Sequence, residues 1–195
     1  MIRLYGRRVT LRALAAPDFA AWTEVRTRND AWLTPWEPAK LLGATDPARD
    51  RQAFQLRCAA RERERQLGTG YGFGIFVDGA FAGEINLNSL QRGPFQNAYV
   101  GYWIDQAKAG HSYMSEAVVV VTKFALEDLR LHRLQVAIVP RNHRSRRVME
   151  KLRFREEGIA LRYLEINGVW EDHVRYAITA EEWAERRGEL QRDWL

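Results

Sequence analysis

Two stretches of this chain carry residue types and spacings that suit chemistry on a phosphate-bearing ligand. The first, Ile104-Asp105-Gln106-Ala107-Lys108-Ala109-Gly110-His111-Ser112-Tyr113-Met114-Ser115-Glu116, joins an apolar strand pattern to the start of an apolar helix pattern. A helix start leaves backbone N–H groups unpaired and carries the positive end of the macrodipole, so such a turn is a candidate anion site. Ser112 is placed to cap that helix, with Glu116 in its first turn; a capped loop with no ligand would have the same sequence. The turn has neither the GxxxxGK[ST] spacing of a P-loop nor the GxGxxG of a dinucleotide fold. The second stretch runs from Pro140 to Phe154 and opens a run with seven Arg and Lys residues between Arg141 and Arg155. Arginine suits bidentate phosphate binding, although a solvated helix face or an RNA-facing patch would read alike. Other chemistries find little support. His111, His132, His143 and His173 show no metal-ligand spacing, no serine sits in a Gly-x-Ser-x-Gly elbow, and Cys58 reads as a helix-packing residue.

The elements that must position these stretches can be read in order. Arg8–Leu14 alternates like a strand, and Ala16-Pro17-Asp18 opens a helix through about Arg28. Trp32–Pro38, rich in proline and aromatics, reads as a loop. A charged amphipathic helix runs from about Pro47 to Gln66 and stops before Gly68-Thr69-Gly70. Tyr71–Val77 and Ala80–Leu87 flank Asp78-Gly79, a two-residue hairpin signal. A third strand of that group, Ala98–Ile104, follows the Arg92-Gly93-Pro94 turn. The helix Tyr113–Arg130 then leads to a buried-looking strand, Arg133–Val139, as a parallel crossover unit would. A helix over His143–Leu152 and a strand entering the Asn167-Gly168 turn close the pattern. The expectation is one mixed α/β domain over residues 1–195, mostly antiparallel with one βαβ crossover.

Composition narrows the class. The chain has 195 residues, 46% of them hydrophobic and 28% charged, with a net charge of +5. That is a globular composition, long enough to bury a core without disulfide or metal. A single cysteine excludes an intramolecular disulfide. The longest aliphatic run, Ala117–Val121, is far short of a bilayer span of about 20 residues, and Met1–Leu14 does not read as a signal peptide. A cytoplasmic location without membrane contact is expected. Only Lys40, Lys108, Lys123 and Lys151 among the basic residues are lysines; the arginine bias fits a phosphate-bearing ligand, a ribonucleoprotein partner or a GC-rich genome.

Together the two stretches resemble the GNAT superfamily of N-acetyltransferases, in which an R/Q-x-x-G-x-G/A turn grips the pyrophosphate of acetyl-CoA and an N-x-x-S…LGF helix start lies beside the pantetheine arm. Trp32–Pro38, Arg92–Gln96 and Tyr163–His173 extend the likeness to ribosomal-protein alanine N-acetyltransferases of the RimJ type, over about residues 8–183. The resemblance implies a splayed acetyl-CoA cleft in a mostly antiparallel sheet with flanking helices. It implies acetyl transfer from acetyl-CoA, without a metal, to a protein N-terminal α-amine such as a ribosomal-protein alanine. A small-molecule acetyltransferase or an RNA-binding ribosome-assembly factor are the alternatives. Gly110, His111, Ser112, Tyr113, Met114 and Ser115 would bind the cosubstrate, joined by Arg146 and by Asn142, whose other role would be to cap the helix that follows, with the N–H near Ile104 polarising the acetyl carbonyl. Ser145 matches the proton-donor position, its other role being to cap the helix at Arg146. Glu84, central in its strand, is the candidate base or else a solvent-facing acid. Trp32, Trp36 and Phe95 would wall the acceptor side, as aromatics in the core otherwise would not. Ala107 stands where the motif has Arg or Gln, Ser112 where it has Gly or Ala, and Arg153 where glycine precedes the phenylalanine. If φ is positive there, Arg153 costs about 1 kcal/mol.

Overall fold

The computed structural model describes residues 2–39, 43 and 45–195. Two short strands, β1 (Arg3–Tyr5) and β2 (Val9–Arg12), form the first hairpin. A 3₁₀ turn over Ala16–Asp18, with Pro17 in its first turn, leads into helix α1 (Phe19–Arg28). The segment read as a loop is helical instead: α2 (Asp30–Leu33) runs into a 3₁₀ turn over Thr34–Trp36. Pro35 fits there because the first residues of a helical turn need no N–H donor. Helix α3 (Arg51–Leu67) starts at an Asp50 cap, whose Oδ1 accepts from the Ala53 N–H at 2.7 Å, and ends at Gly68 with φ +68°.

The sheet core follows. Strands β3 (Tyr71–Val77) and β4 (Ala80–Gln91) are joined by Asp78-Gly79, both with positive φ (51° and 79°), as a type I′ turn requires. Strand β5 (Asn97–Ile104) pairs antiparallel with β4, and β6 (Arg133–Ile138) pairs parallel with β5. The crossover is α4 (Tyr113–Lys123), continued by a π-helical turn over Phe124–Asp128. Helix α5 (His143–Lys151) precedes the long hairpin β7 (Arg155–Ile166) and β8 (Val169–Thr179), and α6 (Ala180–Trp194) closes the described chain. Among the described residues the strands form one eight-stranded sheet in the order β1-β2-β3-β4-β5-β6-β8-β7. This is the expected mixed architecture; β1, β8, α6 and the first half of β7 went unread.

Helices cover the two faces unequally. Helices α4, α5 and α6 lie over one face, above the larger apolar core. Helix α4 is buried on every side, Val119 and Val120 as well as the Ala117, Val118 and Val121 stripe, because the other two helices roof it. On the opposite face α1 and α3 enclose a smaller core, in which Phe54 packs at 5.5 Å from Phe19 and 5.0 Å from Trp22 between ring centroids. Arg153 has φ +51°, so the strain expected at that position is present. The helix α5 terminus tolerates it with the Phe154 N–H returning to the Met149 carbonyl at 3.0 Å.

Candidate active site

Strands β5 and β6 pair only at Asn97–Arg133, Ala98–Leu134 and Tyr99–Gln135. Beyond Tyr99 they part, and the opening belongs to a cleft of about 1560 Å³. The Asp105 N–H donates to the Ala82 carbonyl of β4 at 2.7 Å. Strand alternation therefore turns the N–H and C=O of Tyr102 and Ile104 away from β4 and into the splay. The Ile104 carbonyl accepts from Trp32 Nε1 at 3.2 Å on that side.

The turn leaving β5 is anchored from behind. Asp105, 2% exposed, accepts from the Arg28 guanidinium and from Asn29 Nδ2 at 2.8 Å. Burial pushes its carboxyl up, and the bonds from Arg28 and Asn29 more than offset this, holding it below the usual carboxylate range. Gly110 (φ +84°) and Ser112 (φ +66°) then bend the chain so that α4 begins at the cleft wall. The N–H groups of Tyr113, Met114 and Ser115 have no acceptor within the helix. Ser112 takes the N-cap position with no side-chain cap; its hydroxyl accepts from Lys151 Nζ at 2.6 Å. His111 lies outside the cleft lining, its Nδ1 3.0 Å from the Ala109 carbonyl oxygen and its ring stacked on Tyr113.

The facing wall is α5. Asn142 caps it, with Oδ1 accepting the Ser145 N–H at 3.1 Å, so the capping role considered for Ser145 belongs to Asn142. Ser145 sits in the first turn with its Oγ 2.9 Å from the Tyr102 hydroxyl. Burial pushes the Tyr102 phenol well above its ordinary value, so it stays a hydroxyl at neutral pH. Arg146 departs from expectation. It points to β8, where its Nε donates to the Tyr176 hydroxyl at 3.1 Å, and it does not line the cleft. Arg144, Arg147 and Lys151 do. Met149 and Leu152 fix the core side of α5, and tertiary placement decides which charged flank meets the cleft.

On the other face of the splay Glu84 is 2% exposed and lines the cleft from β4. Trp22 Nε1 donates to its Oε1 and Arg57 to its Oε2, each at 2.5 Å. It is not a solvent-facing acid. Trp32 and Trp36 also line the cleft, beneath Arg144 (4.5 Å to the ring centroid) and Arg141 (4.7 Å). The Glu37 carbonyl accepts the Asn167 N–H from the β7–β8 hairpin at 2.8 Å, so residues 30–37 strap one lip of the splay to the other. Phe95 is corrected: it is 45% exposed before β5, at the strand end remote from Ile104, and outside the cleft lining. The sequence reading missed Trp22, Arg57 and Tyr102, and it took in Arg147 and Lys151 only as part of the basic run suited to phosphate. The α5 residues had a signal in their i, i+3/i+4 spacing; the others come from distant segments and had none.

The cleft residues fit acetyl-CoA. The open N-terminus of α4 adjoins Lys108, Arg147 and Lys151, which make no ion pair among the described residues. Helix N–H groups and uncompensated cations are the complement of a pyrophosphate and a 3′-phosphate. Residues 8–155 match the acetyltransferase (GNAT) domain family. The chain is 29% identical over 188 residues to the [Ribosomal protein uS5]-alanine N-acetyltransferase of Escherichia coli, covering 95% of each chain. It is 46% identical over 110 residues to the Bacillus subtilis "Probable N-acetyltransferase YjcK", an alignment over 55% of this chain and 61% of that protein, less than two thirds of its length. Among solved structures, Mycobacterium smegmatis RimJ in complex with CoA-disulfide superposes with a TM-score of 0.87 at 29% identity, covering 97% of this chain and 95% of that one. On fold, cleft and family match alike, the chain belongs to the GNAT acetyltransferase family and is an acetyl-CoA-dependent N-acetyltransferase.

Proposed function

We propose that this enzyme acetylates the N-terminal α-amine of a ribosomal protein, with alanine as the first residue. The observation that carries the choice of acceptor is the charge of the cleft. Arg26, Arg57, Arg61, Arg141 and Arg144 line its acceptor side; the first four pair with Glu37, Glu84, Glu64 and Glu171, and the lining acids Glu37, Glu84 and Asp46 all have partners of their own. A polyamine or other polycationic small molecule would find no unpartnered carboxylate among the described lining residues to hold its several charges. A peptide N-terminus brings one amine and an otherwise neutral backbone. The named activities of the relatives from Escherichia coli and, at 26% identity, Vibrio fischeri support the same acceptor. The RNA-binding alternative is weakened because many arginines, including Arg12, Arg28, Arg133 and Arg155, are paired with carboxylates.

In this reading acetyl-CoA supplies the thioester that is attacked. The turn at Gly110–Ser115 and the cations of α5 hold its phosphates, Asn142 lies beside its arm, and the Ile104 N–H receives the charge developing on the acetyl oxygen. A peptide α-amine, with a pKa near 8, is about 10% neutral at pH 7, so a modest base suffices. Glu84, fixed by Trp22 and Arg57, holds the incoming ammonium and takes its proton directly or through one water. The Ser145–Tyr102 hydroxyl pair hydrogen-bonds the departing sulfur. The strap bearing Trp32 and Trp36 walls the acceptor entrance.

The test offers purified protein and acetyl-CoA to short peptides starting with Ala, Ser or Met, with a lysine-only peptide and a polyamine as controls, read by mass spectrometry. Acetylation of the alanine α-amine is expected. Turnover of the polyamine alone would overturn the reading.

A further inference from the structure

Glu116 is the fourth residue of α4 and 1% exposed, in the same first turn as the unpaired N–H groups of Tyr113, Met114 and Ser115. A buried carboxylate there opposes the helix dipole's attraction for phosphate. It is enclosed by the corner between β1 and β2. Its Oε1 accepts the N–H groups of Arg8 and of Val9 (2.9 Å), and its Oε2 accepts Arg8 Nε at 2.9 Å. A Cβ at Gly6 would lie 2.6 Å from Oε1, so a glycine is needed for the corner to close this tightly. The same Arg8 donates to the His111 carbonyl at 3.1 Å and lies 4.8 Å from the centroid of the Tyr113 ring. One guanidinium thus touches the Glu116 charge, the turn and the first residue of the helix.

We propose that Arg8 is a positioning residue for acetyl-CoA. It supplies the counter-charge that lets a helix start containing a buried glutamate bind a dianion, and its bond to the His111 carbonyl sets that charge beside the turn. The segment belongs to the first hairpin, about a hundred residues before the turn it serves, and touches no reacting atom.

The test is calorimetric titration of CoA into wild type, Arg8→Ala, Glu116→Gln and the double variant, which needs no acceptor and so does not depend on the proposed ribosomal substrate. With its counter-ion gone, Glu116 should weaken CoA binding about tenfold in Arg8→Ala. Glu116→Gln keeps Oε1 for both backbone N–H groups while removing the charge, and it should bind CoA at least as tightly as wild type. The double variant removes both charges and should return to within about twofold of wild type, as coupled residues do in a double-mutant cycle. A merely structural Arg8 would leave the double variant as weak as Arg8→Ala or weaker, and that result overturns the proposal; so does wild-type affinity in Arg8→Ala. Arg8 is 43% exposed, and thermal melts confirm folding. Should Arg8→Ala fail to fold, Arg8→Lys and Arg8→Gln take its place: affinity kept by lysine and lost by glutamine supports the counter-charge, and equal affinities overturn it.

Discussion

Replacing Glu84 by glutamine separates its chemical role from its structural one. The carboxylate accepts from Trp22 Nε1 through one oxygen and from Arg57 through the other. An amide has only one acceptor oxygen, so one of these two buried donors must face an NH₂ group. Leaving a buried donor unsatisfied costs about 1–3 kcal/mol, against a typical domain stability of about 5–15 kcal/mol. Glu84→Gln should therefore fold and melt at a lower temperature. Its catalytic loss has a different signature. Removal of a general base slows turnover by about 100-fold or more, but the variant can still use amine that is already neutral. With an α-amine pKa near 8, that fraction rises from about 10% at pH 7 to about 90% at pH 9. The ratio of wild-type to variant kcat/KM should consequently shrink by up to about tenfold over that range. The assay is thiol release with an alanine-started peptide at five pH values, with CoA affinity measured alongside. A ratio that stays constant with pH would refute the assignment of Glu84 as the base, and an undiminished kcat/KM at pH 7 would refute it outright.

Arg147→Ala should weaken CoA binding about five- to tenfold and lower its salt sensitivity, because Arg147 lines the cleft without an ion-pair partner among the described residues. Arg146→Ala should leave CoA affinity unchanged and lower stability by about 1 kcal/mol through the lost bond to Tyr176; titration calorimetry and urea melts separate the two. Asp105→Asn should cost about 1–3 kcal/mol at pH 7, since Arg28 and Asn29 lose part of their acceptor. The sign with pH follows from its lowered carboxyl pKa: the native state holds Asp105 ionised where the unfolded chain, titrating near 3.9, binds a proton. That stabilisation is complete above the unfolded value and fades as pH falls through the folded one. Urea midpoints of wild type and variant should converge below about pH 4; a gap that widened on acidification would contradict the assignment.

What could be read from the sequence was what local chemistry dictates. Asp78-Gly79 demands a turn with positive φ, Tyr71–Val77 and Ala80–Leu87 must then pair, and an apolar helix between two apolar strands makes a parallel crossover. Ala98–Ile104 and the turn after it were legible for the same reason, as was the start of α5 at Asn142. The edges were harder. Most of β7 is solvent-exposed, so Arg155–Tyr163 lacks the alternation that one buried face imposes. Residues 30–36 are helical because Trp32 and Trp36 find cover under arginines more than a hundred residues away.

The site divides along the same line. Residue types at a strand-to-helix turn mark a candidate anion cradle, because unpaired helix N–H groups are a property of any helix start. Which side chains meet in the cleft depends on where distant segments land. Trp22 and Arg57 reach Glu84 from two helices, and Tyr102 reaches Ser145 across the splay. Arg146 and Arg147, adjacent in the chain, point about 100° apart around α5, so one binds Tyr176 and the other faces the cleft. Phe95 precedes β5 and Ile104 ends it, so a strand's length separates from the cleft one aromatic that the resemblance had placed there. Backbone donors are a local property of the chain, whereas a side chain's partners depend on how the whole chain packs.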